Sequence, residues 1–360
     1  MRTRAWLVSL LLLHPATAAA QVDQLTKVET VRLADGVYAA LRGTRPDQPA
    51  NANSLIIINC DDVVVVDASL TPTSTRGVIA EIRKLTSKPV RYVINTHWHD
   101  DHHFGNQAYL EEFPGVEFIA HASTRKDIRE RAMPALARNR TEYPRTLAGL
   151  EATLACGRQE DGAPLTAEQR ESTTRYAASL RAFIPEMQRT EMVLPGITLE
   201  RELVLHRCDR EIRVLYLGRG NTRGDVVVHL PRERILATGD LVVSPIPFAF
   251  GSYPGEWVET LARLRALDAE VIVPGHGAVL RNGEYVETLD GLLDSVLEQT
   301  RDAVQRGLSL EETRKIVDLE PFRARLAGDD PLLEGAFTTF FAVPAVERAY
   351  LEARGELHDP

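Results

Sequence analysis

The stretch that most restricts the fold is N-T-H-W-H-D-D-H-H-F-G, residues 95–105, which follows an apolar strand and opens a helix. His97 and His99 are two residues apart in an extended segment, so both side chains point to one side. Asp101 and His102 come next, where the chain turns into the helix. Neutral imidazoles and an anionic carboxylate in such a short stretch suit Zn²⁺, and less specifically Fe²⁺ or Mn²⁺. The stretch therefore predicts a metal site.

So short a segment cannot enclose two metals, and the other donors must come from distant loops. Three candidates each lie at the end of a strand: Asn221 in G-R-G-N-T-R-G-D, Asp240 in A-T-G-D-L and His276 in V-P-G-H-G. The glycines beside His276 would let the backbone come close to a crowded site. Two further histidines, His103 and His229, are not expected to bind a metal.

The strand and helix patterns fall into two blocks. In the first, L-I-I-I-N-C-D-D-V-V-V-V predicts two strands joined by a tight turn, and a helix, a strand, a short helix and a strand follow. In the second, six strand patterns lie between residues 197 and 273, with one helix before the last strand. Two such blocks predict two sheets packed together with helices outside.

Helical patterns separate and follow these blocks. Residues 124–190 carry no strand signal, and form either a structural insert or a cover over a substrate cleft. After residue 283 the chain reads as helical to its end and is expected to pack on the outside. We expect a main domain over residues 21–290 and a helical extension over 291–360. In the insert, one apolar helix face is predicted, consisting of Tyr176, Leu180, Phe183 and Ile184.

The N-terminus, residues 1–20, has two arginines, an apolar run and then small residues before Gln21, which is typical of a secretory signal peptide. Its apolar core, residues 5–13, is too short to span a bilayer of about 30 Å. We therefore expect a periplasmic or secreted protein, cleaved near Ala20, with no membrane span in the mature chain.

The charge and the cysteine content limit which partners and which disulfide bonds the chain can have. The net charge of −9 without a basic tract argues against binding of nucleic acid or of an anionic membrane. The three cysteines leave at least one thiol unpaired. Cys60 is expected to be a core residue, and pairing of Cys156 with Cys208 is possible.

Four motifs, H-W-H-D-D-H, G-R-G-N-T-R-G-D, T-G-D and P-G-H-G, together resemble the metallo-β-lactamase superfamily in order and spacing. The resemblance covers roughly residues 30–120 and 195–285. It implies an α/β (α+β) fold, the four-layer αββα sandwich, with a metal site at one edge of the two sheets. Members hydrolyse β-lactams, lactones, thioesters and phosphoesters, and some are iron-dependent oxygenases.

The resemblance also implies a ligand for each position. His97 and His99 would bind the first metal, and Asp240 would bridge both metals. Asp67 matches an acid behind the site that fixes its geometry; the residues alone equally allow a strand-end cap. The second metal would be bound by Asp101, His102 and His276.

Asn221 departs from the pattern, because the family usually has a histidine there as the third ligand of the first metal. An amide oxygen is neutral and a weaker zinc donor than imidazole. We therefore predict one tightly bound Zn²⁺ at the second site and a weaker one at the first, with iron as the alternative metal.

The resemblance implies a metal-dependent hydrolase, in which water bound by the metal loses a proton near neutral pH and attacks a carbonyl. Asp101 would orient the water and move the proton. Asp240 favours an ester, lactone or thioester over a β-lactam, because lactamases of the family usually carry cysteine or serine there. Two alternatives stay open: an iron-dependent oxygenase acting on a sulfur substrate, and a non-catalytic metal-binding relative.

Overall fold

The computed structural model describes residues 26–43, 51–159 and 161–359, so the predicted signal peptide lies outside the described residues. In this part of the chain, no helix is both long and apolar enough to cross a membrane. The strands are β1 Glu29–Ala34, β2 Val37–Leu41, β3 Ser54–Ile58, β4 Val63–Val66, β5 Val90–Ile94, β6 Glu117–His121, β7 Ile197–Leu199, β8 Glu202–Arg207, β9 Arg210–Tyr216, β10 Val226–Leu230, β11 Ile235–Val243 and β12 Val271–His276.

The strands form two sheets. The first has the order β1-β2-β3-β4-β5-β6-β7, and the second has the order β12-β11-β10-β9-β8. Strands β4 to β7 pair in parallel, as do β11 and β12, while the other pairs are antiparallel. The carboxyl ends of β4 and β5 therefore meet at one edge of the first sheet.

Helices cover both sheets. The described α-helices are Pro72–Leu85, Asp100–His103, Asn106–Glu112, Ala122–Asp127, Met133–Cys156, Ala167–Arg189, Pro254–Arg265, Glu284–Gln305, Leu310–Ile316, Glu320–Ala327, Pro331–Ala336 and Val343–Ala353, with π-helical turns at Ile128–Ala132 and Phe337–Ala342.

Three apolar cores separate four layers. The inner core joins the facing sides of the two sheets through residues such as Ile57, Ile94 and Val228. The outer side of the first sheet packs on Ile82 and Tyr109 of its helices. The outer side of the second sheet packs on helices that include Pro254–Arg265 and Glu284–Gln305. The αββα sandwich is therefore confirmed, because each sheet buries one face on the other sheet and one on helices.

The predicted strand pair around the acidic turn is confirmed as β3 and β4, which are antiparallel neighbours. The β1–β2 hairpin was not predicted, although Asp35-Gly36 between two short strands is a hairpin signal. Gly36 has a φ of 69°, which glycine adopts without strain. The hairpin extends the first sheet at its β3 edge.

The insert consists of helices, as expected. Its predicted apolar face is wrong at Tyr176, which is 50% exposed, whereas Leu180 and Met187 are buried. Phe104, Met187 and Leu136 form an apolar cluster against which Trp98 also packs. The insert therefore packs directly on the segment that carries the histidines.

The C-terminal helices belong to the outer layer of the second sheet. Phe337, Phe341 and Val346 are buried in the same apolar core as Trp257 of that layer. The predicted boundary at residue 290 lies inside the helix Glu284–Gln305. The extension thus shares the core of the domain that precedes it.

The cysteine expectations need correction. Cys60 is exposed at the turn between β3 and β4, where it forms a disulfide with Cys208 in the turn between β8 and β9. Cys156 is exposed and free, so it does not pair with Cys208. An apolar run before Cys60 indicated burial, but the strand ends at Ile58 and the chain leaves the core there.

Candidate metal centre

The histidine stretch begins where β5 ends. The segment is extended as far as His99, which is the N-cap of the helix Asp100–His103. Asn95 accepts from and donates to Asn106, and its amide also donates to the carbonyl of His102. The backbone N–H of Val226 donates to the carbonyl of Thr96 (2.9 Å), which joins this segment to the start of β10 in the second sheet.

Asp67 lies at the end of β4, directly behind the histidines. Its φ of 61° is in the left-handed region, a conformation that non-glycine residues seldom adopt. Its carboxylate accepts from the backbone N–H of Thr96 (2.7 Å), the hydroxyl of Thr96 (2.8 Å) and Nδ1 of His102 (2.8 Å). Because Nδ1 of His102 donates to Asp67, the lone pair of the ring is on Nε2. This is the arrangement by which a carboxylate orients a histidine toward a metal.

Donor atoms from three chain segments meet in front of Asp67. Nε2 of His102 lies 3.2 Å from Oδ1 of Asp240, and Nε2 of His276 lies 3.0 Å from Oδ2 of Asp101. Nε2 of His97 lies 3.7 Å from Oδ2 of Asp240. Asp240 thus contacts donors on both sides, as the bridging position requires.

At this edge, the described residues form two groups of donors that are compact enough to hold an ion, and both contain His102. One consists of His97, His102 and Asp240, and the other of Asp101, His102 and His276. The second group is the predicted second site. His99 is not a member of the first group but lies next to it, with its Nδ1 3.0 Å from Nε2 of His97.

The donor atoms fit a cation. Oδ2 of Asp101, Nε2 of His102, Oδ1 of Asp240 and Nε2 of His276 are buried without a hydrogen-bond partner. Among the described residues, the carboxylates of Asp101 and Asp240 form ion pairs only with histidines. Buried carboxylates require a cation, and unpaired lone pairs that converge on one point are what a divalent metal requires.

The electrostatics of the metal-free centre point the same way. At His102 burial lowers the pKa, but Asp67, Asp101 and Asp240 together outweigh it and raise the pKa well above its usual value. At His97 burial, aided by neighbouring imidazoles, lowers the pKa well below its usual value. The carboxylates around His102 thus favour positive charge at this point, which a divalent metal would supply.

The glycines beside His276 act as expected. A Cβ atom on Gly275 would collide with Oδ1 of Asp240, so only glycine lets β12 pass so close to that carboxylate. Asn53, which the sequence did not reveal, holds the same loop: its side chain donates to the carbonyls of Pro274 (3.0 Å) and Gly277 (2.9 Å). Nothing near Asn53 in the sequence marks this role, which depends on contact between the two sheets.

Asn221 is fully buried. Its Nδ2 donates to the carbonyl of Phe248 (2.7 Å), and its Oδ1 is left without a partner. This bond fixes the orientation of the amide, because a carbonyl accepts only from the NH₂ end. The oxygen is thus free to accept a donor or a cation, and the ring of Phe248 lies 5.3 Å from that of His276.

The other histidines stand apart from the donors. His103 bonds the carbonyl of Trp98 through Nε2 (2.9 Å), and His229 pairs with Arg213 across β10 and β9. Thr96, which the sequence reading missed, contacts Asp67, His97 and His102 through one hydroxyl. Its position directly before the first histidine was the available signal.

Fold and centre together define a metalloprotein of the αββα class with histidine and aspartate donors at the sheet edge. The family model described as the metallo-beta-lactamase superfamily matches residues 47–276, and the chain belongs to this superfamily. The solved structures of a metallo-beta-lactamase from Pontibacter korlensis (TM-score 0.51, 18% identity, 74% of this chain and 99% of that chain) and of the DIM-1 metallo-beta-lactamase (TM-score 0.50, 18% identity, 75% and 97%) share the fold.

Two curated relatives are also similar. A linear primary-alkylsulfatase from Pseudomonas sp. (strain ATCC 19151) is 26% identical over 310 residues, which are 81% of this chain and 54% of that protein. A metallo-beta-lactamase type 2 from Bacillus sp. (strain 170) is 35% identical over 86 residues, which are 22% of this chain and 34% of that protein. The chain thus spans about half the length of the first relative and about a third of the second.

Proposed function

We propose that the chain is an exported, zinc-dependent hydrolase that cleaves an ester-type bond in a small molecule. The observation that carries the proposal is the set of buried, unpartnered donor atoms on Asp101, His102, Asp240 and His276. A structural cluster would satisfy its polar atoms within the protein. These atoms instead face one another around a point that a cation would fill.

The two compact groups share His102, whose Nε2 lone pair can serve only one metal. Asp101, His102 and His276 would hold one metal, and His97 and Asp240 would contribute to the other. His99 would join His97, and the free oxygen of Asn221 would be the weak ligand that replaces a histidine. A divalent metal held here lowers the pKa of water and polarises the oxygen of the scissile bond.

The protein groups supply orientation and proton transfer. Asp101 is the carboxylate that accepts a proton from the attacking water, since Oδ2 is buried, unpartnered and part of the donor cluster. Although burial raises its pKa, His102 and His276 prevail and lower it, so the group is ionised in the centre. Asp67 and Thr96 hold His102 in place and need not touch the substrate.

Two bond types deserve testing first. Carboxylic esters, lactones and thioesters follow from aspartate at position 240. Sulfate esters are the second candidate, because the relative named as an alkylsulfatase is similar over 81% of this chain and the β-lactamase over only 22%.

Export is supported by the disulfide between Cys60 and Cys208, since such bonds persist in oxidising compartments. Cell fractionation with N-terminal sequencing of the mature protein tests this part. We expect a periplasmic or secreted form that begins near Gln21, and an uncleaved cytoplasmic form would contradict the proposal.

The decisive experiment is metal analysis with a hydrolysis screen. Protein purified without added metal is measured for zinc and iron, then loaded with zinc and assayed on carboxylic esters, lactones, thioesters, β-lactams, phosphodiesters and sulfate esters. We expect that His102→Ala and His276→Ala each lose both the bound zinc and the turnover. Stoichiometric iron with oxygen uptake would instead support the oxygenase, and unchanged zinc and activity in both variants would contradict the catalytic assignment.

A further inference from the structure

A small, shallow cleft opens beside the metal centre. Two segments of the centre contribute to it, through Trp98 of the histidine stretch and Asn221. The remaining wall is aromatic and cationic, and the principal lining residues are Trp98, Arg131, Asn221, Arg223, Phe250 and Tyr253.

One of the two arginines is already neutralised by the chain itself. Arg223 donates to both carboxylate oxygens of Asp127 through Nε (2.9 Å) and Nη2 (2.5 Å). Its Nη1 donates to Asp359 (2.5 Å), whose other oxygen accepts from the hydroxyl of Tyr253 (2.7 Å). The charge of Arg223 is therefore balanced by two carboxylates of the chain itself, those of Asp127 and Asp359.

Unlike Arg223, Arg131 forms no ion pair with a carboxylate in the described part of the chain. Across residues 26–43, 51–159 and 161–359, no carboxylate lies within 4.0 Å of its guanidinium, and the contact that it makes is with the ring of Trp98, 3.9 Å from the ring centroid. Burial lowers its pKa, and Asp127, Tyr253 and Asp359 raise it without overcoming the effect of burial. Cζ of Arg131 lies over the ring of Trp98, and within the described residues its N–H groups donate no hydrogen bond, so they are free to donate to a ligand.

We propose that Arg131 is a specificity-determining residue that binds an oxyanion of the substrate, and that the substrate joins this oxyanion to an apolar group. The apolar part would lie against Trp98, Tyr253 and Phe250, whose side chain is 46% exposed at the cleft. Carboxylate and sulfate both match the forked N–H geometry of arginine. The inference rests on the proposed hydrolase, whose substrate would enter this cleft.

Binding is tested without turnover, on zinc-loaded full-length protein. Octanesulfonate, octanoate and neutral octanol are titrated while the fluorescence of Trp98 is followed. A Trp98→Phe variant identifies the signal, because the chain also contains Trp6 and the fully buried Trp257. Arg131→Met removes the charge, and Arg129→Met is the matched control, because Arg129 lies on the same helical turn but is exposed and paired with Glu130.

We expect both anions to bind the wild type and Arg129→Met alike, and about tenfold more weakly in Arg131→Met, as for the loss of a charge-assisted hydrogen bond. Octanol should not distinguish the variants. A stronger effect on octanesulfonate than on octanoate assigns a sulfate-like group, and the reverse assigns a carboxylate. Equal anion affinity in wild type and Arg131→Met overturns the proposal. If anion binding is then lost when zinc is removed, the anion binds to the metal.

Activity separates this proposal from the hydrolase itself. For the anionic ester mono-4-nitrophenyl glutarate, Arg131→Met should raise KM about tenfold with kcat kept. For the neutral 4-nitrophenyl butyrate both constants should stay the same. If Arg131→Met hydrolyses both esters with the same preference for the anionic ester as the wild type, only the proposed role of Arg131 is contradicted. Anion binding that depends on Arg131 without any hydrolysis contradicts only the proposed function.

Discussion

Asp67→Asn tests whether the carboxylate behind the centre selects the metal-binding tautomer of His102. Asparagine has nearly the same shape, and its oxygen can keep the bond to the backbone N–H of Thr96 (2.7 Å). Its NH₂ group then faces Nδ1 of His102, where the carboxylate now accepts at 2.8 Å. The imidazole must accept there, so its proton moves to Nε2, the atom aimed at Asp240 (3.2 Å). A protonated Nε2 cannot bind a metal.

The expected loss follows from that geometry. Removing such a partner from a metal-binding histidine typically weakens metal affinity about 10- to 100-fold. At about 1.4 kcal/mol per tenfold, this is roughly 1.4–2.8 kcal/mol. The figure agrees with one lost hydrogen bond to a charged group, about 1.5–3 kcal/mol.

The assay is competition for zinc with a chromophoric chelator at neutral pH, with ¹⁵N shifts of His102 reporting its tautomer. Asp225→Asn is a matched control. Asp225 is also a buried carboxylate that accepts from a threonine backbone N–H (2.7 Å) and hydroxyl (2.6 Å), here of Thr222. It senses the charge of His102, but within the described residues it has no hydrogen bond to a histidine. If Asp67→Asn weakens zinc binding no more than Asp225→Asn, the reasoning about the tautomer is refuted.

Three further predictions concern the ligand loop, the close approach of β12 and the disulfide. Asn221→His should increase the metal retained per chain in a chelator titration, because imidazole is a stronger zinc donor than an amide; equal retention would mean that Asn221 is not at the metal. Gly275→Ala should lower zinc affinity, since the added Cβ would displace the carboxylate on β11, whereas Gly283→Ala, which meets no atom within 4 Å, should not. Cys208→Ser should lower the free energy of unfolding by about 2–5 kcal/mol in denaturant titrations, because the bond closes a loop of 148 residues. Cys156→Ser is the control, and equal stability of the two variants would contradict a disulfide at Cys208.

Strands with uninterrupted apolar runs were predictable, because a run such as V-V-V-V is buried on both faces of a sheet. The edge strand β1 was missed, since it is half exposed, and β2 was missed because alanines give it a weak strand pattern. The insert was correctly predicted as helical, but its buried face was not. Which side of a helix is buried depends on the neighbour against which it packs.

Similar limits apply to the candidate site. The spacing of His97, His99, Asp101 and His102 and the order of the motifs predicted which residues are the donors. Asn53, Thr96 and Arg131 escaped notice, because single polar residues carry no pattern until their neighbours are known.

The sequence by itself determined the two-block fold, the donor residues and the family, because local periodicity and short motifs are properties of neighbouring residues. Only the tertiary structure decided which donors lie within reach of one ion, that Cys60 pairs with Cys208, and that Arg131 stands unpaired beside the centre. Each of these depends on segments far apart in the chain, and their distances are set by how the two sheets pack rather than by any residue alone.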